Sequence, residues 1–243
     1  MIASKKFLFC AHIYACQFRD ELILLDTKKD KYSICSPEFS KLLINFLESS
    51  NSKTSLCHPS MQSLQDSDIN RLIEVGIIEL KDTNAALTID RKPYSCGVSN
   101  ADWRLPLDKV SISDFNSEVL NVLILLTKVN FYVNIKGLHS TIQLIKKSYD
   151  KKLHYVIPTQ EELRSLASVV NKACVIYPTR TKCLEWAITY VLEALKRRWR
   201  CNLEIGVQNY PFLAHAWVEC NKEVIMDEQD LRKELSIILS EPF

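Results

Sequence analysis

The chain has 243 residues, 47% of them hydrophobic and 25% charged, with a formal net charge of +2. That is apolar enough for a packed core and unlike a disordered composition, and the near-neutral balance argues against a nucleic-acid partner, which needs a concentrated basic face. The four glycines, Gly76, Gly97, Gly137 and Gly206, are too scattered to build a phosphate or dinucleotide loop, so no recognisable cofactor motif is present.

In chain order, residues 7–14 read as a strand rather than a secretory signal. Lys5 and Lys6 precede a short apolar run, but His12 interrupts it and no small-residue cleavage site follows. Residues 21–26 and 31–35 form a hairpin around the polar turn 27–30. Ser36 and Pro37 open a helix as N-cap and first helical residue, and Phe39, Leu42, Leu43, Phe46 and Leu47 mark its buried face. Asp66, Ser67 and Asp68 cap a further helix through Ile69, Leu72 and Ile73. Gly76 stops it, and residues 77–80 leave as a strand. Residues 83–110, with Pro93, Gly97 and Pro106 and no sustained period, read as a linker between segments 1–82 and 111–243. Helices follow near 114–134, 138–150 and 160–171. The apolar stretch 119–133 is broken by Asn121, Lys128 and Asn130 and falls short of a membrane span. Residues 175–182 lead into an amphipathic helix from Cys183 to about Arg198, with Leu184, Ile188, Val191 and Leu195 on its core face. Three strands follow, at 203–207, 214–219 and 222–227.

Nine cysteines occur, without a C-x-x-C pair or Cys/His zinc spacing, so no metal site is expected. An odd count without a framework suits a reducing, cytoplasmic setting. Cys10, Cys16, Cys35 and Cys57 read as small buried hydrophobes, and Cys174, Cys201 and Cys220 as structural. Cys183 differs because it stands at a helix start. The positive end of a helix and a neighbouring imidazolium are the two devices that turn a thiol into a thiolate. His215 lies on a later strand and Asp227 on the next, close enough across a hairpin for the carboxylate to orient the imidazole. On spacing alone the triad stays open, since chance also places such residues in this order. His12, His58, His139 and His154 have no similar company. Trp217 reads as core rather than as a wall beside the imidazole, and Gln208 as a solvated turn residue rather than an oxyanion donor.

The ordered set Pro178 to Leu184, Ile205-Gly206-Val207, Pro211-Phe212-x-x-His215-x-Trp217-Val218-Glu219 and Val224-Ile225-x-Asp227 closely resembles the lasso-peptide B proteins. The resemblance implies an α+β architecture. A winged-helix-like leader-recognition domain of three strands and three helices (1–82) would precede a transglutaminase-like, papain-like cysteine peptidase domain (111–243). It implies Cys183 as nucleophile, His215 as base and Asp227 as orienting acid, acting to separate leader from core in a small precursor peptide. The leader would add to the edge near Tyr32 and Ile34 and pack against the helix carrying Leu72. An asparagine-synthetase-like lasso cyclase is the implied partner, and any ATP dependence would come through it. Neither nucleic acid nor membrane is expected as a partner. Two other readings share these parts: an acyltransferase using the same triad, and a non-catalytic winged-helix regulator. Against the latter, Asp66, Asp68 and Glu74 outnumber Arg71 on the segment that would enter DNA.

Overall fold

Two units, Met1–Tyr94 and Ser95–Phe243, make up the chain. The computed structural model describes residues 4–49, 64–83, 87–98 and 116–243. Cys57, His58, Pro106 and most of the expected linker lie outside the described residues.

The first unit begins with two strands where one was expected. β1 (Ser4–Phe9) and β2 (Ile13–Phe18) are separated by a turn in which Ile13 N–H donates to Cys10 C=O at 2.8 Å. The turn sends β1 to β5 (Ile78–Thr83), while β2 joins β3 (Glu21–Asp26). The expected hairpin forms between β3 and β4 (Lys31–Ile34), and the four-stranded sheet runs β4-β3-β2-β6, with β6 at Asp90–Lys92 inside the expected linker. β4 is therefore an edge strand.

Helix α1 (Pro37–Ser49) starts as its sequence signals, with Phe39 N–H donating to Ser36 Oγ. It buries Leu43, Ile44 and Leu47 against Ile13, Leu22 and Leu24 of the sheet. Gln65, not an aspartate, occupies the N-cap position of α2 (Asp66–Glu74), and its side chain makes no capping bond. Asp66 and Asp68 sit in the first turn of the helix, where a negative charge complements the helix dipole. Gly76, at φ +74°, ends it, and Ile77 N–H reaches back to Leu72 C=O, closing the left-handed cap that a glycine adopts without steric cost.

The second unit places helices against an antiparallel sheet. α3 (Ser117–Phe131) is capped by Asn116 and continues through a π-helical turn (Tyr132–Lys136) into α4 (Gly137–Ser148). This 32-residue run, with a window of mean hydropathy 1.3, is long and apolar enough to cross a membrane, contrary to the sequence reading. Its Val119, Val122, Leu126 and Val129 are nevertheless buried, and α3 packs on α5 and α6. α5 (Gln160–Ile176) runs five residues beyond its expected end and opens with a reciprocal cap between Thr159 and Glu162.

α6 (Cys183–Lys196) is the pivot of the unit. The sequence reads it as amphipathic, but every residue from Glu185 to Leu195 is buried. It packs against α3, α4, α5, β7 (Cys201–Gln208) and β8 (Leu213–Cys220), so no face is left for solvent. Fully burying side chains such as Ile188 and Val191 stabilises the unit by about 1.5–3 kcal/mol each. Its polar residues are satisfied within the packing: Thr189 Oγ1 donates to Glu185 C=O at 2.7 Å, and Glu193 pairs with Lys196. Two bonds tie it to α5, from Trp186 Nε1 to Asn171 Oδ1 at 2.7 Å and from Tyr190 Oη to Leu163 C=O at 2.9 Å. The sheet order is β10-β7-β8-β9, with β9 at Glu223–Val224 and β10 at Ser236–Glu241, and a short α7 (Leu231–Glu234) precedes the last strand.

Candidate active site

The rigid seat of α6 fixes Cys183 as its first residue. Lys182 N–H donates to Glu185 Oε2 at 3.2 Å, which closes the helix entrance one residue before the thiol. As a first-turn residue, Cys183 offers a backbone N–H that has no carbonyl partner within the helix. His215 comes from the middle of β8 and is 4% exposed.

Asp227 arrives by a route the sequence does not announce. β8 turns back through Asn221 and Lys222, both at positive φ (52° and 69°), the paired left-handed geometry of a tight hairpin. The returning strand pairs over Glu223 and Val224, and Ile225 N–H adds one more bond to Val218 C=O at 2.9 Å. Met226 then takes φ +57° and the chain leaves the sheet, so Asp227 stands on a loop rather than on the third strand expected from 222–227. Gln229 holds that loop, accepting from Val224 N–H at 3.3 Å and donating to Val224 C=O at 2.8 Å. A polar residue five positions from its anchor carries no periodic signal, and Gln229 was not singled out in the sequence.

The three side chains meet. His215 Nε2 and Asp227 Oδ2 are 2.6 Å apart, and Asp227 Oδ1 accepts from Glu228 N–H at 2.9 Å. With Nε2 taken, Nδ1 is the ring nitrogen left for the Cys183 thiol, and the two groups shift each other's protonation. Burial by itself disfavours the imidazolium, but the hydrogen bonds and charges of Asp227 and Cys183 outweigh it and raise the His215 pKa to about 9. Burial also opposes the Cys183 thiolate. The hydrogen bond and charge of His215, with the N–H groups of Ala216 and Leu184, overcome that and lower its pKa. The site therefore favours a thiolate–imidazolium pair, a nucleophile beside a charged proton donor.

The other thiols differ in the way their surroundings dictate. Burial raises Cys16 well above an ordinary thiol, and takes Cys35 and Cys174 to about 11. Cys201 and Cys220 face each other across β7 and β8. Gln208 is not a solvated turn residue. It is buried, its Oε1 accepts from Val98 N–H at 2.6 Å and its Nε2 donates to Val98 C=O at 3.1 Å, so its amide is spent on holding that segment. Among the described residues no cluster of His, Cys, Asp and Glu has the makings of a metal site.

In the first unit, Tyr32 is half-buried and Ile34 is exposed, both on the edge strand β4. Leu72 is 7% exposed and lies in the core with Leu43 and Leu47, so its side chain is spent on packing. The exposed apolar side chains at that end of α2 are Ile73 and Val75. Val75 lines a cavity of about 150 Å³ with Ile13, Leu24, Lys31 and Ser33.

Residues 125–240 match the transglutaminase-like superfamily. Over 224 residues the chain is 24% identical to the "Microcin J25-processing protein McjB" of Escherichia coli, covering 91% of this chain and 95% of that protein. No solved structure matches it. The second unit thus resembles the transglutaminase-like superfamily over residues 125–240, and the similarity to the Escherichia coli protein extends over nearly the whole chain.

Proposed function

We propose, on the premise that this chain is a relative of the lasso-peptide B proteins with a transglutaminase-like domain, that it is a cytoplasmic cysteine peptidase that cuts the leader from a precursor peptide. The observation that carries the reading is the meeting of Cys183, His215 and Asp227, with a thiol lowered and an imidazole raised in pKa.

The chemistry follows from those groups. The Cys183 thiolate attacks the carbonyl at the leader–core junction, and the negative charge moves to the carbonyl oxygen. The N–H of Cys183, at the positive end of α6, is the donor placed to receive that charge. The imidazolium of His215 gives its proton to the departing amine of the core as the C–N bond breaks, leaving the leader as a thioester. Neutral His215 then takes a proton from water. The hydroxide attacks the thioester, releasing the leader acid and regenerating the thiolate. Asp227 keeps the ring in the tautomer that these transfers need.

The first unit supplies recognition in this account. It is a winged-helix-like module whose edge strand β4 pairs with the leader through main-chain hydrogen bonds. Ile34 on that strand, and Ile73 and Val75 on the α2 end, give side-chain selectivity. Leader capture raises the effective concentration of the scissile bond. The freed core then passes to a lasso cyclase of the asparagine-synthetase type, which would bring any ATP requirement with it.

The test is to measure binding of a labelled leader peptide and the products formed from the whole precursor, with the cyclase present and absent. Leader binding with hydrolytic release of leader acid and core amine supports the proposal. Transfer of the leader acyl group to an added amine, without hydrolysis, makes the chain an acyltransferase. Binding without either reaction makes it a delivery protein.

A further inference from the structure

Outside the triad, Trp217 stacks beside the His215 ring and is tied in turn to Glu219 and Arg232. Trp217 follows two residues along β8, so alternation puts it on the same face as His215. Its indole is 6.0 Å from the imidazole, with 22° between the planes, and is 1% exposed. Gly206 pairs with His215 across β7 and β8. A Cβ placed on Gly206 would lie 2.5 Å from Trp217 Cη2 and 2.9 Å from Leu235 Cβ, so the indole occupies the space that any side chain at 206 would need. Here the glycine is required for room rather than for its backbone angles.

The indole is anchored at its far side. Trp217 Nε1 donates to Glu219 Oε1 at 2.9 Å, and Glu219 is 4% exposed. Arg232 Nε donates to both Glu219 oxygens, at 2.9 and 2.8 Å, and Arg232 Nη2 lies 3.0 Å from Glu204 Oε1. Two buried carboxylates thus share one guanidinium. Burial, with the Glu219 charge adding to it, raises Glu204 to about 7 despite Ser240 and Arg232. Burying this much charge is costly, and an apolar filling of equal volume would serve stability as well. A polar anchor does what an apolar filling does not: it fixes the indole in one orientation.

We propose that Glu219 and Arg232 are positioning residues for His215, locking Trp217 over Gly206 as a fixed wall against which the imidazole is held between Cys183 and Asp227. The bond to Asp227 fixes one ring nitrogen but leaves the ring free to pivot about it. The indole blocks that pivot and sets where Nδ1 points. It also excludes water from that side of the ring, which strengthens the bond to Asp227. The charged or titratable groups involved are Asp227 and Cys183 around His215, and Arg232 and Glu204 around Glu219. The inference rests on the Cys183–His215 reading but not on what the peptidase cuts.

The experiment uses the full chain and no precursor. Alkylation of Cys183 by iodoacetamide is followed by mass spectrometry against pH in wild type, Trp217→Phe, Glu219→Ala, Glu219→Gln and Arg232→Met, with thermal unfolding in parallel. Trp217→Phe, Glu219→Ala and Arg232→Met are expected to slow alkylation at neutral pH by about tenfold, as misplacement of a reacting group does, and to move the Cys183 midpoint upward. Glu219→Gln, which keeps an acceptor for the indole, is expected to restore most of the rate. Folded variants that melt lower but alkylate with the wild-type midpoint would reduce the network to a structural one and overturn the proposal. If Arg232→Met fails to fold, Trp217→Phe, which removes only the indole anchor, decides the matter. A wild-type midpoint in the ordinary thiol range would sink the Cys183–His215 reading and this proposal with it. Shifted midpoints in a protein that never cuts a precursor would leave the wall standing and remove only the peptidase reading.

Discussion

His215 Nε2 and Asp227 Oδ2 are joined at 2.6 Å although Asp227 has already left the sheet that carries His215. The bond sets the ring so that its other nitrogen serves the thiol. Asp227→Asn keeps the shape of the loop but removes the charge and permits the wrong tautomer. The expected loss in kcat for precursor cleavage is on the order of 10²–10⁴, with the melting temperature little changed. A loss under threefold would mean that Asp227 does not orient the ring.

The pH dependence follows from the directions of the two shifts. Below the lowered pKa of Cys183 the thiol keeps its proton, so the rate rises with pH as the thiolate forms. Above about 9 the His215 imidazolium loses the proton that the leaving amine needs, so the rate falls. A bell-shaped profile of kcat/KM is expected, with its alkaline limb near pH 9. Asp227→Asn should bring that limb to lower pH, because the carboxylate is among the groups that hold the imidazole pKa up. An alkaline limb unmoved by Asp227→Asn would contradict the assignment.

Gln229 makes a prediction of a different kind, since it touches neither the thiol nor the imidazole. Its amide adds two hydrogen bonds to the backbone of Val224, a residue that also pairs with Glu219 in the sheet. Gln229→Ala removes both, at about 0.5–1.5 kcal/mol each, and frees the loop that delivers Asp227. The activity of Gln229→Ala should fall further than its stability explains, while Gln229→Glu, which keeps only the acceptor, should fall between. Equal activity in all three forms would show that the loop holds without the amide.

For the first unit, Ile34→Glu places a charge on the exposed face of the edge strand. Leader affinity, read by fluorescence anisotropy, is expected to drop about tenfold or more, the effect of losing an anchor worth roughly 1.4 kcal/mol. The alkylation rate of Cys183 should not change. Unaltered leader affinity would remove β4 from the recognition surface.

Much of this arrangement was legible because it is written locally. Ser36-Pro37 announces α1, and Gly76 ends α2. Pro178 and a polar run precede the long apolar helix that begins at Cys183. The misreadings have a common physical origin in contacts distant in sequence. Val224 and Ile225 have strand character and keep their bonds to β8, but Met226 turns left-handed and takes the chain out of the sheet before Asp227. α6 has polar residues at Glu185, Thr189 and Glu193, which read as a solvent face but are covered by neighbouring elements and satisfied internally. Leu72 has helical spacing that marks a packed residue as readily as a binding one, and it is packed. Trp217 is both core and wall, because the sheet pleat that buries it also stacks it on His215.

The most direct test of the central claim is the intact mass of the products after the precursor peptide is incubated with wild type and with Cys183→Ala. The expected result is two fragments from the wild type, whose masses sum to the precursor plus one water, and uncut precursor from Cys183→Ala that still binds leader. Cleavage at the same bond by Cys183→Ala, or a wild type that binds the leader and leaves the precursor whole with the cyclase present, would contradict it.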